Sequence, residues 1–192
     1  MNSLRETLEQ EDVGPIIRRF FINTLFDSTF MLLGIIVGSA FAAGAGLNVI
    51  IVTMITTSLA LGISTGVSVY EAESLEQERK ISYLEKALLA DLDDTSIQKT
   101  AKYTIVLATV INFATPPLAC AITITPFVFA AIGLLQIDVA SWLSVGLALS
   151  ALFAAGAYMG RIGKTNPFIK GVRMVAFGVL AFALGFILDF LI

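Results

Sequence analysis

The sequence predicts an all-α membrane protein that crosses a lipid bilayer five times, with one cytoplasmic helical segment between the second and third crossings. Three observations predict it. The 192 residues are 57% hydrophobic and only 14% charged, with a mean hydropathy of +0.88, whereas soluble domains carry about 25% charged residues. A chain this short has too little interior to hide so much apolar surface from water. Apolar runs of about 20 residues, the length that spans the hydrocarbon core as a helix, recur five times. With five crossings, all twelve Lys and Arg residues, from Arg5 to Arg173, fall on one side.

Residues 1–19 read as a cytoplasmic N-terminal segment. A secretory leader has a basic start, a short apolar core and a small-residue cleavage site. The first thirteen residues are polar and acidic instead, so the first apolar run is expected to stay as a membrane helix. The runs cover about 20–43, 48–70, 103–135, 139–159 and 168–192. The third is too long for one straight crossing. Its Pro116, Pro117 and Pro126 should kink or break it, because proline lacks a backbone donor and clashes with the preceding turn.

Residues 71–102 form the only sizeable polar stretch. Ile81, Leu84, Leu88 and Leu89 share one face at helical spacing. The stretch 91–96, Asp-Leu-Asp-Asp-Thr-Ser, interrupts that helix and caps another leading into the third crossing. The other connections are short and rich in glycine, asparagine or aspartate: 44–46, 136–138 and 163–167. The chain thus divides into 1–19, crossings one and two over 20–70, an acidic cytoplasmic segment over 71–102, and crossings three to five over 103–192. Basic residues favour the cytoplasmic side. The N-terminus is therefore expected inside and the C-terminus outside.

Composition also narrows the chemistry. The absence of histidine removes the commonest metal ligand and the usual catalytic base. The single cysteine, Cys120, allows no intrachain disulfide and reads as a small buried residue. A net charge of −3 implies no nucleic-acid partner. There is no Walker A, GxGxxG, CxxC or HExxH motif. The chain reads as a transporter or membrane scaffold and not as an enzyme.

Asp27 is the sharpest candidate. An Asp at the centre of a membrane helix costs roughly 2.5–3.5 kcal/mol on insertion scales, and such residues mark ion or proton paths. The competing reading is an N-cap, since Asp27-Ser28-Thr29 resembles a helix start. Next come the carboxylates of the polar stretch. Glu71, Glu78 and Glu85 recur every seven residues, while Glu73 and Glu76 face another side. Clustered carboxylates without histidine suit Fe²⁺, Mn²⁺, Ca²⁺ or Mg²⁺. From the residues alone a solvated helix face is the simpler reading, with Glu76 and Lys80 as an i,i+4 pair. The pairs Gly34/Gly38, Gly62/Gly66 and Gly156/Gly160, and the stripe Gly171, Gly178, Gly185, predict close helix packing or dimerisation. Met31 and the other membrane methionines read as packing residues.

Taken in order, these features resemble the vacuolar iron transporter family, above all its short prokaryotic members. Arg18-Arg19-Phe20-Phe21, followed by the stretch from Phe26-Asp27-Ser28-Thr29 to Gly38, resembles that family's first span. Gly66-Val67-Ser68-Val69-Tyr70-Glu71-Ala72-Glu73, running into Glu76 and Glu78, is similar to its second span emerging as an acidic helix. Pro116-Pro117 and Pro126 fall as in its proline-broken third span. Gly160-Arg161 with Asn166-Pro167-Phe168 resembles the start of its fifth.

The resemblance implies a homodimer that moves Fe²⁺, and Mn²⁺ in some members, out of the cytoplasm in exchange for protons. It places Asp27 in the path, with Met31 one turn on, and implies metal gathering by Glu71, Glu73, Glu76, Glu78 and Glu85. The metal is then substrate and not cofactor, and a prokaryotic plasma membrane is the expected location. One departure is that the second span carries no carboxylate over 57–66, which implies a less charged path. Two other readings stay open: a non-transporting membrane scaffold, and a transporter of another cation.

Overall fold

The computed structural model describes residues 13–42, 45–93 and 95–191, which hold helices and no strand. Helix α1 covers Val13–Ile36 and passes into a π-helical segment, Val37–Ala42. It is followed by α2 (Leu47–Leu88), α3 (Ser96–Ala131), α4 (Ile137–Ile162) and α5 (Pro167–Leu191). Among the described residues, five helices are long and apolar enough to cross a membrane. The chain is a multi-pass, all-helical membrane protein. Residues 1–12, with Arg5, and Ala43, Gly44, Asp94 and Ile192, which the sequence reading also used, lie outside the described residues.

Two boundaries differ from expectation. Residues 71–102 are not a separate segment: 71–88 complete α2 and 96–102 begin α3. Nothing at the seam Val69-Tyr70-Glu71-Ala72-Glu73 breaks a helix, because neither Gly nor Pro occurs there. At 1.5 Å per residue, the 42 residues of α2 extend about 63 Å, roughly twice a bilayer's hydrocarbon core.

The second difference is that α3 runs unbroken through Pro116, Pro117 and Pro126. Pro116 cannot donate to the carbonyl of Asn112, four residues back. That oxygen instead accepts the Thr65 hydroxyl at 3.2 Å. Substitute donors of this kind are how membrane helices tolerate proline.

The helix ends follow local rules. Leu89 stops α2 with φ 52°. The Thr95 hydroxyl oxygen accepts the Gln98 N–H at 3.4 Å and caps α3. Gly133, with φ 80°, closes α3: its N–H donates to Ala130 O and that of Leu134 to Phe129 O, both at 3.0 Å. Asn166 accepts the Phe168 N–H at 3.0 Å, and Pro167 opens α5 where no donor is needed.

The chain forms two compact units. The first comprises Met1–Thr24 and Gly62–Thr115, so it holds the start of α1, the second half of α2 and the first half of α3. Its interior is unusually polar: Thr24, Glu73, Thr104, Asn112 and Thr115 are all buried. A Cβ on Gly66 would lie 3.2 Å from that of Phe113, so α2 and α3 touch closely there. Ile63, Val67, Val106 and Val110 point outward, as helices bounded by lipid require.

The second unit comprises Leu25–Leu61 and Pro116–Ile192. Its core joins Leu32, Leu33 and Ile36 of α1 to Ile50 and Met54 of α2, Phe127 of α3 and Leu152 of α4. Helices α4 and α5 approach through glycine. A Cβ on Gly156 would fall 2.8 Å from Lys170 O, and one on Gly160 2.7 Å from Pro167 Cα. Phe41, Trp142, Phe182 and Phe186 form an aromatic cluster with centroid separations of 5.0–6.4 Å.

Candidate functional site

In the second unit, α1 buries one face and leaves another open. Ser28, Thr29, Leu32, Leu33 and Ile36 point inward, and the Thr29 hydroxyl donates to Leu25 O at 2.7 Å. Asp27, Gly34 and Gly38 are exposed, and Met31 is half-buried. Residues 27, 31, 34 and 38 are spaced by three and four, so they share a face. A Cβ added to Gly34 or Gly38 would meet nothing within 4 Å. Asp27 lies fourteen residues into the described part of α1, so it does not cap that helix. Nor is it enclosed by its own chain. The face it occupies is polar at one end and small at the other, on a helix otherwise made to lie in lipid.

The five glutamates of the polar stretch all lie on α2, in the first unit, but they do different things. Glu71, Glu76 and Glu78 are exposed. Glu85 is half-buried and accepts the Leu92 N–H at 3.3 Å, so it ties down the turn after α2. Glu73 is only 5% exposed, and its Oε2 has no hydrogen-bond partner among the described residues. Among those residues, no three His, Cys, Asp or Glu side chains converge as a metal ligand set. The carboxylates read as one group in the sequence are therefore an outward row, a turn-holding residue and a buried residue.

Sequence reasoning missed the polar interior of the first unit. The Thr24 hydroxyl donates to Asn112 Oδ1, and Asn112 Nδ2 donates to Ala108 O at 2.8 Å. Asn112 is the only asparagine within the third apolar run, and that was the available signal. The same unit holds a cavity of about 140 Å³ lined by Ile16, Gln77, Lys80, Ser96, Thr100 and Thr104, among others. In the second unit Cys120 is buried and hydrogen-bonds Ser58, in keeping with a packing role.

No protein-family profile and no solved structure matches the chain. It is similar to the uncharacterized protein MJ0645 of Methanocaldococcus jannaschii. The two are 30% identical over 169 residues, which cover 86% of this chain and 84% of the archaeal one.

Proposed function

The chain belongs to the family that includes MJ0645 of Methanocaldococcus jannaschii, and for this chain we propose a homodimeric antiporter that moves Fe²⁺, or Mn²⁺, out of the cytoplasm in exchange for protons. One observation carries the reading: Asp27 stands exposed on a membrane helix, on the same face as the unpacked Gly34 and Gly38. A carboxylate left against lipid is costly, and such groups face protein or water instead. A second copy meeting the first across a two-fold axis would present the same face. Small residues let two such helices approach closely. Two Asp27 carboxylates and two Met31 thioethers would then line one seam, where the carboxylates suit a hard ion such as Mn²⁺ and the thioethers add a softer donor that favours a transition metal over Mg²⁺ or Ca²⁺.

In this mechanism the exposed Glu71, Glu76 and Glu78 concentrate hydrated metal near the inner mouth. Glu85 ties down the turn after α2. Asp27 binds the ion as a carboxylate. A proton arriving from the far side neutralises Asp27 and releases the metal. The orientation follows the basic residues, with the N-terminus and the end of α2 inside, in a prokaryotic plasma membrane. The resemblance to the vacuolar iron transporters supports the same substrate and stoichiometric partner.

The test is Fe²⁺ uptake into proteoliposomes under an imposed pH gradient. Gradient-driven flux is expected in the wild type and its loss in Asp27→Asn. Wild-type flux in that variant would remove Asp27 from the mechanism. Absence of any metal-dependent flux, with a partner protein co-purifying, would favour the scaffold reading. Preference for another ion in competition assays would change the substrate but keep the path.

A further inference from the structure

A groove of about 440 Å³ runs between α2 and α3 in the first unit, within the roughly 300–1,000 Å³ of small-molecule sites. The local sequence makes it. Ile63, Val67 and Tyr70 share one side of α2 at three- and four-residue spacing, and all three are exposed. Gly66 between them has no side chain, and a Cβ there would lie 3.2 Å from that of Phe113. The ridge of α2 is therefore interrupted where α3 comes closest. Val110 and Phe113 form the opposite wall.

The two ends of the groove differ. Gly66 meets Phe113, whereas Gln77 shares a cavity with Thr104, so α2 and α3 run antiparallel. Ile63 marks one end, and Tyr70 and Glu71, with Thr109 of α3, mark the other. Residues 63 and 71 are about 12 Å apart along the helix axis. The first end is hydrocarbon. The second falls where the apolar run of α2 gives way to the polar stretch, toward the lipid–water boundary that Tyr favours. Glu71 is exposed, and it is the one charged residue among those that line the groove. The Thr109 hydroxyl is committed to Ile105 O at 2.8 Å.

These ends select an occupant. An acyl chain of the bilayer can enter, but it gains little, because lipid tails are as apolar as the groove wall. An anion would be repelled by Glu71 and would meet no lining cation. A metal ion stripped of water needs several oxygen ligands, and here it would find one carboxylate above hydrocarbon. An organic cation with an apolar body is matched along the whole length. Its body lies against Ile63, Val67 and Phe113. Its charge meets the Glu71 carboxylate, an attraction that strengthens as the dielectric falls toward lipid. The Tyr70 ring adds a cation–π contact, the means by which aromatic side chains hold quaternary ammonium groups.

We propose that the α2–α3 groove binds an amphipathic organic cation, an alkylammonium whose head pairs with Glu71 and whose chain follows Val67 and Phe113. The site is separate from the Asp27 face of α1 and stands independently of metal transport.

The test uses the full chain in nanodiscs of zwitterionic lipid, without metal and without a gradient. Radiolabelled decyltrimethylammonium is the probe, and its bound amount is read by equilibrium dialysis against protein-free nanodiscs. Decyl sulfate and decyl maltoside offer the same tail with an anionic and a neutral head. Saturable binding is expected for the ammonium and not for the other two. Glu71→Gln should abolish it and Glu71→Asp, which keeps the charge, should retain it. Tyr70→Leu should weaken it by about 2- to 30-fold, the worth of one cation–π contact. Val67→Trp fills the groove from an exposed position and should abolish binding, whereas Val106→Trp, exposed on α3 and outside the lining, should not. Equal binding of the three amphiphiles, or wild-type binding in Glu71→Gln, would leave the groove to bilayer acyl chains and overturn the proposal. Unchanged binding in Val67→Trp would overturn the location. Loss in Asp27→Asn with none in Glu71→Gln would move the cation to α1 and overturn it as well. Absence of Fe²⁺ flux in the transport assay leaves these outcomes unaffected, so the two readings fail separately.

Discussion

Gly156→Ala tests the contact between α4 and α5. The added Cβ would lie 2.8 Å from Lys170 O, 2.8 Å from Met174 Cγ and 3.0 Å from Gly171 Cα. Met174 Cγ can turn aside about the Cα–Cβ bond. The other two atoms belong to the α5 backbone, and they yield only if the helix moves. Overfilling a packed site costs about 1–3 kcal/mol, while Ala in place of Gly gains about 0.8–1.0 kcal/mol of helix propensity. Gly146→Ala on the same helix is the control, because its Cβ would meet nothing within 4 Å. Both variants share the propensity gain, so their difference isolates the packing cost, about 1–3 kcal/mol. The assay is reversible unfolding in bicelles, with both variants measured beside the wild type. Equal stability of the two variants would refute the claim that this contact has no room for a methyl group.

Other outcomes follow from the same geometry. Asn112→Ala should lower stability in bicelles by about 0.6–1.7 kcal/mol, the range for interhelical hydrogen bonds in membranes, and speed amide exchange over 13–24. Thr65→Val should cause a smaller loss in the same unfolding assay, since it removes the one hydroxyl donating to the carbonyl that Pro116 leaves open. Thr95→Ala should cost about 1 kcal/mol of cap energy and speed limited proteolysis over 89–95. Gly34→Leu, at a position with nothing within 4 Å, should leave the fold intact but abolish energy transfer between labelled copies in liposomes.

The five helices were legible because apolar length alone announces a crossing. The cap within 91–96, which Thr95 supplies, was legible because turn chemistry is local. The continuity of α3 was not, because Thr65, which satisfies the Asn112 carbonyl, is 47 residues away. The candidate site was only partly readable. Asp27 could be recognised as an intramembrane carboxylate, but its outward direction depends on which face of α1 the core takes. The heptad row Glu71, Glu78, Glu85 also hid a division of labour. Glu73 turns inward because α3 packs against that face, and Glu85 is drawn to the turn by an unpaired amide at Leu92. The first fact does not exist until α3 is in place, and the second waits on the path of the turn.

The outward carboxylate on α1 bears on how the chain is made. This helix leaves the ribosome before α2 to α5, so Asp27 has none of their shelter when it meets the translocon. The eleven Leu, Ile, Phe and Val residues over 20–37 favour partitioning by roughly 3–7 kcal/mol on a biological insertion scale. The aspartate opposes it by about 2.5–3.5 kcal/mol. The margin is positive but thin, so α1 can integrate unaided, whereas a second acidic residue in the same stretch would halt it during biogenesis.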